Sequence, residues 1–195
     1  MIFFEAESCE YCSDTRKLLQ EVAAVSPLLA LEEYHLEKDH QLAETYHLDK
    51  SPGVIIASVD GDEGVIDHGI RFAGIPSGHE FTTLIQDLLI VSNRDSGLNP
   101  ATLEYLEGLQ DPVHLQVFVT PSCPYCPQAV ILAHRLAFAS ELIQAEMIET
   151  SEFIELTRKY QVSGVPDTSI NHGASRVVGA VPEERIIEEI KKALG

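Results

Sequence analysis

The chain has 195 residues, with 13 Lys and Arg against 31 Asp and Glu and a formal net charge of -18. An excess of that sign repels nucleic acid and anionic membrane, because binding to either draws on cations that displace phosphate counterions. With 45% hydrophobic and 23% charged residues, the composition is that of a globular core and not of a disordered acidic tail, and the length suits one large domain or two small ones.

Met1 to Phe4 is a short apolar run with no basic region before it, and Glu5 follows, so no secretory signal is expected. The longest apolar runs, such as Leu84 to Val91, stop well short of the roughly 20 residues a membrane span needs. A reducing cytoplasm is the expected compartment. The four cysteines, Cys9, Cys12, Cys123 and Cys126, all lie in Cys-x-x-Cys pairs, too few for a stapled secreted scaffold and typical of redox or metal chemistry.

In chain order, Phe3 and Phe4 read as a buried strand running into Cys9 and Cys12, followed by a helix over about 10–24. A strand near 28–36 and a helix near 38–48 come next. The turn Ser51-Pro52-Gly53 leads into a strand over 54–59, then a hairpin whose turn chemistry is supplied by Asp60-Gly61-Asp62-Glu63-Gly64. A helix from His79 to Ser92 places Phe81, Leu84, Ile85, Leu88 and Leu89 on one stripe. Asn93 to Pro100 is rich in turn formers and reads as a linker. Ala101 to Gln110 reads as a further helix, carrying Leu103, Leu106 and Leu109.

From there the pattern starts again. Cys123, Cys126 and Pro166 each stand 114 positions after Cys9, Cys12 and Pro52, and the same shift superimposes Phe4 on Phe118, Tyr11 on Tyr125 and Tyr46 on Tyr160. The second copy predicts a strand over Val113–Val119 and a helix over about 124–139, with Pro124 and Pro127 in its first turn. A strand over 142–148, a helix over 151–161, a strand over 167–170 and a last helix carrying Ile186, Ile187, Ile190 and Leu194 complete it. Beyond the prolines the register slips: Gly74 and Gly179 are 105 apart, so the first hairpin is nine residues longer. These glycines permit either a bulge or the close approach of a peptide. The expected division is 1–96 and 97–195. No counterpart of the 101–110 helix precedes the first strand, whether through trimming, start assignment or loss.

A strand that feeds Cys-x-x-Cys into a helix start suits thiol chemistry. Free N–H groups and the positive helix end favour the first cysteine's thiolate, and the second lies near enough to release a mixed disulfide. The two pairs are unequal: Glu10 follows Cys9 and disfavours its thiolate, whereas Pro124 follows Cys123 and adds no charge. Cys123 is therefore expected to have the lower pKa and to dominate.

Strand, Cys-x-x-Cys, helix and a later x-Pro before a strand resemble the thioredoxin and glutaredoxin fold, and Thr120-Pro-Ser-Cys-Pro-Tyr-Cys-Pro127 resembles a glutaredoxin active site. The doubled pattern, over nearly the whole chain, is similar to the protein disulfide oxidoreductases of thermophilic microbes. That resemblance implies an α/β fold of two tandem thioredoxin-like units, each a central mixed sheet between helices. It implies Cys9 and Cys123 as attacking thiolates and Cys12 and Cys126 as resolving ones. It also implies cis prolines at Pro52 and Pro166, with Ser51 and Val165 before them presenting a short backbone edge to an extended substrate peptide. Tyr11 and Tyr125 then belong to the active-site loops.

The implied activity is dithiol–disulfide exchange on protein substrates, in the reducing, oxidising or isomerising direction. It uses redox-active disulfides with no bound cofactor or metal, and a flavin-dependent thioredoxin reductase is the implied electron donor. Ser51, Gly53 and Asp167 depart from the family pattern, and Asp167 is expected to set a carboxylate near the groove. Two other readings stand beside this one. One is an electron-relay module like the double thioredoxin fold of alkyl hydroperoxide reductases, whose first unit lacks a redox pair. The other is a zinc-stabilised or partner-binding module built on the cysteines. The eight histidines fall singly in sequence, and His134 reads as a packing or surface residue.

Overall fold

The computed structural model describes residues 1–61 and 64–195; Asp62 and Glu63, part of the turn expected over 60–64, lie outside the described residues. The first unit comprises β1 (Ile2–Glu5), α1 (Cys12–Ala23), β2 (Glu32–His35), α2 (His40–Thr45), β3 (Gly53–Asp60), β4 (Gly64–Ala73) and α3 (Glu80–Asn93). The second comprises α4 (Pro100–Glu107), β5 (Val113–Val119), α5 (Cys126–Ala139), β6 (Ile143–Glu149), α6 (Ile154–Lys159), β7 (Asp167–Ile170), β8 (Ser175–Val178) and α7 (Glu183–Leu194).

The two mixed sheets are joined. Strand order is β2-β1-β3-β4-β6-β5-β7-β8, and the seam is the parallel pair β4–β6, running from Ile70 opposite Ala145 to Ala73 opposite Ile148. Each unit thereby covers an edge of the other that would otherwise present unpaired N–H and C=O groups. Side chains alternate across the sheet as the pleat requires. Phe3, Val117 and Val119 enter the larger core, under α1, α3, α5 and α7. Ile2 and Phe4 pack toward α2, and Phe118 packs toward α6.

Several expected elements shift. Both active-site helices start later than expected, after Tyr11 and Tyr125, so Pro124 precedes α5 and only Pro127 falls in its first turn. The second strand shortens to Glu32–His35 because the residues before it turn at Ser26, and Leu28 is exposed. The expected stripe of α3 holds in part: Leu84 is fully buried and Ile85 and Leu88 pack against the core, whereas Phe81 and Leu89 are exposed. The buried residues of the helix also include Glu80, Thr83, Asp87, Ile90 and Val91. A buried histidine on α5 gives Asp87 a partner, so the apolar pattern alone missed the polar part of the inward face. In α4, Asn99 caps the helix by accepting the Thr102 N–H at 2.8 Å.

Candidate active site

Following the pairing directions, β1, β4, β6 and β5 all run the same way, so the cysteine pairs leave the same end of the sheet. β1 and β5 are four steps apart in the strand order, which at about 4.8 Å a step separates them by about 19 Å. The pairs are two separate centres, each closed within itself as Cys9–Cys12 and Cys123–Cys126. The Ser51–Pro52 and Val165–Pro166 bonds are both cis. The chain returns beside each proline: Gly74 N–H donates to the Pro52 carbonyl at 2.9 Å, and Gly179 N–H donates to that of Pro166 at 2.8 Å.

Within that shared frame the surroundings differ. The Cys126 N–H donates to Cys123 Sγ at 3.1 Å, bringing the free end of α5 onto the sulfur; among the described residues Cys9 Sγ receives no such bond. Ser51 Oγ instead lies 3.2 Å from Cys12 Sγ and 3.3 Å from the Phe4 carbonyl, which gives the unusual residue before Pro52 a local task. Cys126 is fully buried and Cys123 nearly so, while Cys9 is partly exposed. Tyr11 and Tyr125 are exposed. Val165 packs against the core beside the second site.

A buried polar group behind the second pair went unread in the sequence. α3 and α5 lie side by side: His79 N–H donates to the Pro121 carbonyl at 3.0 Å, and Asp87 meets His134 Nδ1 at 2.7 Å. Gly78, at φ 60°, makes the close approach possible, since a Cβ there would stand 2.3 Å from the Pro121 carbonyl oxygen. Glu80 precedes Asp87 by seven residues on α3, as Pro127 precedes His134 on α5. Glu80 is buried, with Oε2 accepting from the Thr83 hydroxyl at 2.6 Å. Burial pushes it up to about 7, against the opposing pull of Thr83 and His134. Burial also raises the Asp87 carboxyl, opposed by His134. His134 is buried and packs edge-on to Phe72, with a hydrogen-bonding partner in Asp87 that no spacing revealed.

The first site carries carboxylates from the other unit. Glu152 Oε1 accepts the Ile75 N–H at 2.7 Å, and Glu149 accepts the Glu152 N–H at 2.7 Å. Burial lifts the Glu152 carboxyl to about 7, Glu149 and Glu10 add to this, and the Ile75 N–H opposes it. A groove of about 600 Å³ runs alongside, lined by Lys50, Ser51, Glu152, Phe153, Ile154 and Leu156. Asp167 does not enter the groove at the other proline as expected. It is buried under β8 and paired with Arg176, because its side chain points to the α6 face.

Histidines solitary in sequence also meet in space. The His114 and His172 rings are 5.0 Å apart, and burial takes His114 down to about 4, assisted by His172 and Lys50. Among the described residues no group of three His, Cys, Asp or Glu is arranged to hold a metal, and no helix is long and apolar enough to cross a membrane.

The thioredoxin domain family matches residues 113–192. Over 97% of this chain and 83% of its counterpart, a protein disulfide oxidoreductase from Aeropyrum pernix superposes with a TM-score of 0.87 at 32% identity. The chain belongs to the protein disulfide oxidoreductase family. The N-terminal domain of the alkyl hydroperoxide reductase AhpF from Enterococcus faecalis superposes equally well, with a TM-score of 0.87 over 97% of this chain and 88% of that one, at 26% identity. A Ferdinandcohnia aciditolerans protein named NADH dehydrogenase is 27% identical over 91% of this chain, and an alkyl hydroperoxide reductase polypeptide of Pseudomonas aeruginosa is 32% identical over 54%. The match spans only 31% and 20% of those two longer chains.

Proposed function

We propose that the chain exchanges dithiols for disulfides in protein substrates, chiefly as a reductase, with Cys123–Cys126 as the dominant centre. The observation that carries this reading is the Cys126 N–H held on Cys123 Sγ at 3.1 Å, which favours a thiolate there once the pair is reduced. Cys123 attacks one substrate sulfur and the other leaves as a thiolate. Cys126, deprotonated, then attacks Cys123 Sγ of the mixed disulfide, the second substrate thiolate departs, and the pair closes with two electrons delivered. Cys126 is buried away from water, so its proton needs a local acceptor. Glu80, buried on α3 where that helix packs against α5 and poised near neutrality, is assigned as that acceptor and afterwards returns the proton.

In this reading Cys9 and Cys12 perform the same two steps at the first site. Ser51 and Val165, ahead of Pro52 and Pro166, offer the edge on which substrate backbone lies, and Tyr11 and Tyr125 flank the entrances. The units divide at 96/97, between α3 and α4. The pairs are reset by a flavin-dependent thioredoxin reductase in the cytoplasm. Insulin-disulfide reduction by the wild type, Cys9→Ser and Cys123→Ser proteins tests the reading: no activity in the wild type ends it.

A second reading has equal structural support, in the superposition on the AhpF N-terminal domain. Here the same chemistry at Cys123 relays electrons to a peroxide-reducing partner's disulfide. Hydroperoxide turnover in a reconstituted mixture, present only when this chain is added, would favour the relay.

A further inference from the structure

The returning chain beside each cis proline is where the two sites diverge most. After Gly179, the Ala180 N–H has no acceptor among the described residues, and a Cβ at Gly179 would meet nothing within 4 Å. That edge of the second site is open. At the equivalent place in the first site, the Ile75 N–H is taken by Glu152, and a Cβ on Gly74 would stand 2.6 Å from Glu149 Cβ and 2.9 Å from Glu152 Oε1. Both glutamates belong to the other unit, at the end of β6 and in the turn before α6. The seam between β4 and β6 brings them there, since Ala73 pairs with Ile148 just before Gly74 and Glu149. Cys9 is nevertheless the more exposed of the two attacking residues, being partly exposed where Cys123 is buried. A partly exposed cysteine beside a covered flank admits a small molecule and rejects an extended chain.

We propose that Glu152 is a specificity-determining residue: lining the same groove as Ser51 and anchored on the Ile75 N–H, it covers the flank of the Cys9–Cys12 site against extended polypeptides and leaves that pair to small disulfides, while Cys123–Cys126 serves protein disulfides. The proposal rests on the reading of both pairs as dithiol–disulfide exchange centres. At the first site a reduced Cys9 attacks a small disulfide and expels one thiolate. Cys12 then attacks Cys9 Sγ and expels the other, so the two electrons of the dithiol pass to the small disulfide and the Cys9–Cys12 bond closes. An extended peptide lying along Ser51 would instead have to push the Glu152 side chain out of the groove it shares with Ser51, breaking its bond to the Ile75 N–H.

The test uses full-length protein carrying Cys123→Ser and Cys126→Ser, chemically reduced, in single turnover against insulin and against uncharged 2-hydroxyethyl disulfide. Adding Glu152→Ala is expected to speed the reaction with insulin about tenfold, as for loss of one competing hydrogen bond, and to change the small-disulfide rate less than about twofold. Glu152→Gln keeps an acceptor for Ile75 without the charge and is expected to leave both rates near those of the parent. In the Cys9→Ser, Cys12→Ser background, Glu152→Ala should alter neither rate. Equal acceleration of both disulfides by Glu152→Ala, or an insulin gain already present in Glu152→Gln, would mean that charge on Cys9 and not the cap sets the rate, and would overturn the proposal. No gain with insulin overturns it as well. Failure of the protein retaining only Cys123–Cys126 to reduce insulin is a different result, which sinks the underlying function and not merely the cap.

Discussion

The backbone N–H of Cys126 rests 3.1 Å from Cys123 Sγ, whereas the polar neighbour that marks the first site, the Ser51 hydroxyl, lies 3.2 Å from the second sulfur of its pair, Cys12 Sγ. One pair has its first sulfur stabilised by a helix terminus, and the other has its second sulfur held by a side chain. Cys123 should therefore ionise at lower pH than Cys9, which also has Glu10 as its neighbour. Iodoacetamide alkylation of the two single-pair proteins across pH 4–9 should show the Cys123 reaction rising first, by about one pH unit or more. A lower apparent pKa at Cys9 would reverse the ranking.

Glu80 gives a pH dependence whose sign is fixed. In the unfolded chain the carboxyl loses its proton near 4.5, and in the folded protein near 7. Between those values the folded state binds the extra proton, so this group's contribution to stability is full below about 4.5, declines as pH rises through the window and is level above about 7. Glu80→Gln should remove that decline and raise stability at pH 8 by about 1–3 kcal/mol in urea titration. The same substitution should slow release of the mixed disulfide from Cys123 and flatten its pH profile near neutrality. An unchanged release rate would remove Glu80 from the mechanism.

Lys50, from the first unit, reaches Glu146 of the second at 3.0 Å, and Glu146 also accepts from Gln116 at 3.3 Å. Burial alone would lower the Lys50 pKa, but Glu146 and Asp49 outweigh it and the net shift is upward. Lys50→Met strands a buried carboxylate and should cost about 3–5 kcal/mol, whereas Lys50→Met with Glu146→Leu should recover most of that loss. Equal losses in the single and double variants would show that the pair is not what couples these residues.

A charge of -18 would favour partner proteins that present basic surfaces. Their reduction rates should fall several-fold between about 20 and 300 mM salt, as the Debye length shrinks from about 20 Å to under 8 Å. Stopped-flow rates with a basic and an acidic disulfide-bonded protein measure this directly, and salt-independent rates for the basic one would refute it.

Much of this protein was legible as a repeat. Local patterning placed both Cys-x-x-Cys pairs after strands and before helices, put the prolines in turns and gave β5 and β7 to the residue, because those features depend on neighbours in the chain. Where the register slips from 114 to 105, paired features escape notice. Arg71 donates to the Tyr46 carbonyl and pairs with Asp67, and Arg176 repeats this with the Tyr160 carbonyl and Asp167, yet no single offset aligns all the partners.

By itself, then, the sequence determined the duplicated unit, the redox chemistry and the inequality written into Glu10 and Pro124. Only the tertiary structure decided that the two sheets fuse through β4 and β6. Across that seam α3, which carries Glu80, packs against α5 of the second unit, and Glu152 reaches the Ile75 N–H beside Gly74 and Pro52. Such contacts join residues far apart in the chain, and neither periodicity nor motif spacing encodes them; length and net charge bound the fold without saying which carboxyl groups would be buried.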